Sequence, residues 1–191
     1  MRNRIIATIA LVTMLAGSAS ALPFVDMGIK LGYGNLSPSH DDSDVQKALD
    51  EVDVGLFAAG VAARIQVLMV QVEANALYWS ESYDSEASYS ALSLPIIARL
   101  DFAPIPLLKL AAGTGLEFQF PLAAKGPSGD DAMDQLQSST YLPLSASADL
   151  TLPALGTIGL EARYGYELSS RLKDDQGVSN NYFMFMGTFL F

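Results

Sequence analysis

The chain has no cysteine among its 191 residues and only one histidine. The first absence excludes disulfides, thiolate zinc sites and cysteine nucleophiles. The second leaves any hydrolytic reading resting on Ser39-His40-Asp41, three neighbours on one polar stretch that cannot converge into a triad. Basic residues are also scarce, 11 against 21 acids for a formal charge of -10, which argues against nucleic acid as a partner. Half the residues are hydrophobic, yet no run of eighteen apolar residues follows the first twenty-one, so the hydrophobicity is not concentrated in spanning helices. No charge occurs in the last eleven residues, NYFMFMGTFLF.

The N-terminus carries Arg2 and Arg4, an apolar stretch from Ile5 to about Ala16, and Ala19-Ser20-Ala21. This is the pattern of a secretory signal peptide, with an apolar core too short for the ~20 residues of a spanning helix. The expected organisation is a cleaved segment 1-21 followed by one domain, 22-191. No lipidation cysteine follows the cleavage site.

From Leu22 onward, polar stretches at 37-53, 80-88, 124-139 and 169-180 alternate with short breaks near Leu68-Met69, at 103-106 and at 153-157. The cuts leave eight segments with period-two alternation. Strict alternation of long and short connections predicts an all-β, eight-stranded antiparallel up-and-down barrel with elaborated loops at one end. In GTIGLEARYGYELSS, for example, Ile158, Leu160, Tyr164, Tyr166 and Leu168 fall on one face and Glu161, Arg163 and Glu167 on the other. The final segment places Phe183, Phe185, Phe189 and Phe191 on one face and Tyr182, Met184 and Met186 on the other.

A soluble lipocalin-like barrel, secreted to bind a ligand, would show the same alternation with its apolar face inward. Three features favour the inverse arrangement, a transmembrane barrel. Small residues crowd the polar face, as a narrow lumen requires. Charges of both signs share that face, where the interior of a soluble barrel would tolerate few. Aromatics gather near strand ends, at Tyr33, Tyr78, Phe102, Phe120, Tyr141, Tyr166 and Phe191, as interfacial girdles would.

The terminal Phe191 with aromatic or apolar residues at alternate preceding positions resembles the C-terminal signal that the barrel-assembly machinery reads in bacterial outer-membrane proteins. Gly187 departs from the bulky residue usual within such a signal. With a signal peptide and eight strands, the whole segment 22-191 resembles the small outer-membrane barrels of the OmpA, OmpX and OmpW type. The resemblance implies termini in the periplasm and long loops outside the cell; outer-membrane lipid is the expected partner, and no cofactor is expected.

On that orientation the strand charges form a lumenal set: Asp26, Lys30, Arg64, Glu73, Arg99, Asp101, Lys109, Glu117, Asp149, Glu161, Arg163 and Glu167. Mixed signs in a narrow, low-dielectric space predict a connected network that fills the periplasmic half. The extracellular half, where Leu77, Gly113, Gly115, Gly165, Met184 and Met186 face inward, is expected to leave a shallow apolar cup. An OmpW-like carrier of small apolar compounds, with lateral exit into the membrane, would use such a cup; a structural or surface-interaction protein would not need it. Nearly all the surplus negative charge belongs to the loops, with fourteen acids against four bases. These loops are expected to attract divalent cations diffusely or to meet extracellular ligands. Residues 40-53 lack the central glycine of a calcium loop, having Lys47 instead, and fit a short capped helix begun by Ser43 and Gln46. No catalytic residue and no metal site is assigned.

Overall fold

A computed structural model describes residues 25–40, 54–83, 87–105, 107–173 and 178–191. Eight strands follow in chain order: β1 (Val25–His40), β2 (Val54–Val67), β3 (Val70–Tyr83), β4 (Ser88–Ile105), β5 (Leu108–Lys125), β6 (Ser139–Leu152), β7 (Gly156–Ser169) and β8 (Val178–Leu190). Each pairs antiparallel with its neighbours, and β1 pairs with β8 to close the barrel. Closure leaves no strand edge unpaired, the condition for a sheet to cross hydrocarbon. The signal-peptide segment and the expected helix in the first polar stretch lie outside the described residues.

The alternation settles which solvent lies on which side. Along β8, Tyr182, Met184, Met186 and Thr188 are buried, while Phe183, Phe185 and Phe189 are exposed. The same holds around the barrel: Leu31, Ile96, Leu116, Leu144 and Leu160 face outward and Lys30, Glu73, Arg99 and Arg163 inward. A lipocalin-like interior is thereby overturned, because the apolar set is outside. Most of the expected girdle residues are exposed as well, including Tyr33, Phe102 and Tyr166. Tyr141 is the exception. It is 1% exposed and lies on the same face of β6 as Ser145, Ser147 and Asp149, so its ring belongs to the lumen.

Two of the three short connections fall where the sequence breaks them, while β4 runs through most of the expected 103–106 break to Ile105 before β5 begins at Leu108. Leu68, Leu107 and Ala154 each hold a positive φ of 57°, 70° and 66° in those turns, the left-handed geometry that matches a tight antiparallel reversal. At the other end the strands run further than the polar stretches suggested. β1 includes residues 37–40, so His40 continues a strand, and β3 reaches Tyr83. Strands of 13 to 18 residues exceed the roughly 9–11 needed to cross a bilayer at a tilt, so each is longer than a bilayer requires.

Candidate functional site

Among the described residues the lumen gathers charged side chains, and eight of them form a single ion-pair network. Glu73 on β3 is its hub. It accepts from Lys30 Nζ, from Arg64 Nη2 at 2.7 Å and from Arg99 Nη1 at 2.8 Å. Arg64 Nη1 also donates to Asp149 at 2.6 Å. Glu161 accepts from Lys30 at 2.6 Å, from Arg99 Nη2 at 2.6 Å and from Arg163 Nε at 2.8 Å. Arg163 Nη1 lies 3.7 Å from Glu117 Oε2, and Glu117 accepts in turn from Ser93, Gln119 and, at 2.5 Å, Tyr182. With Tyr182 on β8 counted, every strand contributes a side chain.

Each member is placed by strand parity. Glu161 and Arg163 are two residues apart on β7 and so share a face, while Arg64 and Glu73 are register partners on β2 and β3. Four cations meet four carboxylates, so the group is neutral. That balance matters because none is more than 5% exposed, and an isolated buried ion would be costly. Shared partners reduce the desolvation left uncompensated and tie the strands to one another.

The remaining members of the sequence-derived set lie elsewhere. Asp101 and Lys109 are joined through Gln66, which donates to Asp101 at 3.0 Å and accepts from Lys109 at 2.6 Å, near the short turns. Asp26 shares the lumenal parity but is exposed at the start of β1. Glu167 belongs to the opposite end, where it accepts from the Asn180 backbone N–H at 2.5 Å.

Above the ion pairs the expected open cup is filled. Leu77, Met184 and Met186 are buried in a cluster with Leu36, Leu56, Trp79, Tyr141 and Tyr182. Trp79 and Tyr141 each pack edge-on against Tyr182, with ring centroids 4.9 and 5.6 Å away. The glycines do not leave empty space. A Cβ on Gly165 would fall 1.9 Å from the Tyr182 ring, and one on Gly113 would fall 2.2 Å from the Ala98 carbonyl oxygen and 2.6 Å from Arg99 Cγ. At Gly115 the obstacle is the Ile96 carbonyl at 1.9 Å. Gly165 makes room for a large neighbour, and Gly113 and Gly115 for a close approach of the β4 backbone, which hydropathy alone cannot distinguish from a vacant lining.

Two functional-looking charges escaped the sequence reading because they fall in stretches read as loop. Arg171, just past β7, turns inward and donates through Nη1 to both oxygens of Glu81 at 2.7 Å. Its Nη2 donates to Tyr83 at 3.0 Å, and its guanidinium lies 4.7 Å above the Tyr89 ring. Burial works against this charge, but the Glu81 carboxylate, with Tyr83 and Tyr141, holds the guanidinium well above its ordinary value. The available signal was parity: Glu81 continues the inward series Glu73, Leu77, Trp79, and Arg171 continues that of Glu161, Arg163 and Glu167. Around Arg171 the β5–β6 connection is fastened to the segment after β7, with Gln137 N–H donating to the Arg171 carbonyl at 2.8 Å.

The outward phenylalanines read as the assembly signal form an exposed row. Phe183 and Phe185 are in edge contact at 5.0 Å, and Phe189 and Phe191 lie 6.2 Å apart. Among the described residues, no three His, Cys, Asp or Glu side chains are grouped to hold a metal ion.

No protein-family model matches the chain, and no curated protein matches it in sequence. Among solved structures it is similar to Neisserial surface protein A (NspA), with 13% identity and a TM-score of 0.58 over 86% of this chain and 97% of that one. It also matches Ail, the attachment invasion locus protein of Yersinia pestis, with 14% identity and a TM-score of 0.48 over 87% of this chain and 98% of that one. At these identities the NspA likeness is one of fold.

Proposed function

Because the chain has the fold of the small eight-stranded outer-membrane barrels, we propose that it is an integral outer-membrane protein with a closed lumen, acting as a structural and surface-interaction barrel. The observation that carries this reading is the burial of the lumenal charges. Lys30, Glu73, Glu117 and Arg163 have no exposed surface, and a water-filled passage at their level would wet them. The aromatic cluster around Tyr182 forms a second barrier in series. The polar stretches between the strands carry most of the chain's net negative charge, which favours contacts with cations or positively charged partners and disfavours anionic surfaces.

Among the described residues, the lumenal charges of the network are engaged in ion pairs, which supports a non-enzymatic role. Assembly into the membrane uses the exposed row of Phe183, Phe185, Phe189 and Phe191, and outer-membrane lipid covers the apolar belt. The purified barrel in a planar bilayer is expected to give no steady conductance step, and proteoliposomes carrying it are expected not to swell in small sugars. A reproducible ohmic channel would overturn the closed-lumen reading.

A further inference from the structure

The outward wall of the barrel is not evenly ridged. A groove of about 560 Å³ crosses the outside of β5, β6, β7 and β8. Ala146, Ala148, Ala162 and Gly187 lie in it, and the registers set them together: Ala146 is opposite Ala162, while Leu160 is opposite both Ala148 and Gly187. Such small residues bring the backbone to the floor, and a Cβ added at Gly187 would meet nothing within 4 Å. Leu160 and Phe185 rise beside them, 67% and 65% exposed, and Phe102 and Leu110 close the β4–β5 side. Past Gly187 a second hollow of about 220 Å³ continues toward Ile29 and Leu31 on β1. Three inter-strand spacings make the main groove about 14 Å long, and two outward positions per strand make it about 7 Å wide. Those proportions suit one extended hydrocarbon chain.

We propose that this groove seats one acyl chain of a membrane phospholipid. It continues the apolar belt that lipid covers in the outer-membrane reading above, on which the inference rests. Gly187 is four residues from the terminal Phe191 and Leu110 two from the start of β5, so the groove lies toward the short turns and termini, in the periplasmic leaflet on that reading. Every outward side chain along it is apolar. Glu161 borders the floor from the lumenal side, but Lys30, Arg99 and Arg163 engage both of its carboxylate oxygens. Recognition therefore rests on shape. Lipid tails are as apolar as the wall, so packing and not hydrophobic burial decides what settles there. A chain in the groove meets protein on three sides instead of one, and alanine and glycine lose no side-chain freedom on contact. A second copy of the barrel suits the groove less well. A stable protein interface takes about 20–30 residues a side, and a neighbouring convex wall would rest on Leu160 and Phe185 above the floor.

The test uses the full barrel folded into vesicles of phosphatidylethanolamine and phosphatidylglycerol that contain a phospholipid with a photoactivatable diazirine on one acyl chain. After illumination, adducts mapped by peptide mass spectrometry are expected to be several-fold denser at the groove positions of β6, β7 and β8 than on the outward face of β2 and β3, where Ala59, Ala63, Ala74 and Ala76 are also small. Gly187→Phe fills the floor from a position with free space and is expected to abolish the excess; Ala146→Phe serves if the first variant loses folded migration on an unboiled gel. Ala74→Phe, the same kind of enlargement outside the groove, is expected to leave the excess in place. Even labelling around the barrel, an excess that survives both groove variants, or a second copy cross-linked across the groove in place of lipid would each overturn the proposal. Even labelling would leave the membrane reading standing, whereas an outward belt without any adduct would refute that reading and the proposal with it.

Discussion

Glu73→Gln is the sharpest perturbation of the lumen, because one side chain there answers three cations. Lys30, Arg64 and Arg99 all donate to the carboxylate, and the amide that replaces it keeps the volume while losing the charge. Unit charges about 3 Å apart attract by roughly 5 kcal/mol at an effective dielectric near 20, so three such pairs give a large gross term. Much of it is offset by the cost of burying the carboxylate, and breaking a buried pair typically costs a net of about 3–5 kcal/mol. The same range is expected here, since the substitution leaves four buried cations facing three carboxylates. Urea unfolding in lipid vesicles, followed by the fluorescence of Trp79, the chain's single tryptophan, measures it, with unboiled gel migration as a second probe. Asp26→Asn, at an exposed position, sets the baseline and should fall within about 0.5 kcal/mol of the parent. Adding Arg99→Met to Glu73→Gln restores neutrality, and the double variant should lose less than the sum of the two single losses. A Glu73→Gln cost below about 1 kcal/mol would refute the idea that the network is a coupled electrostatic unit.

Other outcomes follow from the same geometry. Leu116→Arg, on the outward face of β5, should cost about 2–4 kcal/mol in membranes if placed near the bilayer midplane, read by the same urea titration. Gly165→Val should displace Tyr182 and cost about 1–3 kcal/mol by overpacking, whereas Gly187→Val, where a Cβ meets nothing within 4 Å, should be tolerated; thermal gel-shift midpoints compare the two. Arg171→Met leaves Glu81 buried without its cation, so it should increase proteolytic cleavage in the connection after β7 while leaving bilayer conductance at baseline, because the ion pairs below are intact.

Much of the barrel was legible because strand parity is a binary signal repeated many times. Each residue of β7 or β8 reports which side it faces, and one charge on the wrong face would have been conspicuous. Strand number and order followed from the spacing of breaks. Parity says nothing, however, about how high a side chain reaches or what fills the space opposite it. Gly165 and Gly113 thus read as a vacant lining, although Gly165 accommodates the Tyr182 ring and Gly113 a close approach of the β4 backbone at Ala98. The loop-side boundary failed for a related reason. Polar residues near Glu81 and Arg171 look like loop by composition, yet strands continuing past the hydrocarbon carry polar residues on both faces. Tyr141 was misplaced because it was read as a strand-end aromatic, although its parity on β6, shared with Ser145 and Asp149, already puts it in the lumen.

The most direct test of the central claim, hydrocarbon outside and a packed charged lumen within, is spin-label accessibility on single-cysteine variants of a chain that has no native cysteine. Labels replacing Leu116 and Phe185 should collide readily with oxygen and hardly at all with a water-soluble nickel chelate, and a label at Ser93 should meet neither reagent. Free access of the chelate to positions 116 and 185, or to position 93, would contradict that arrangement.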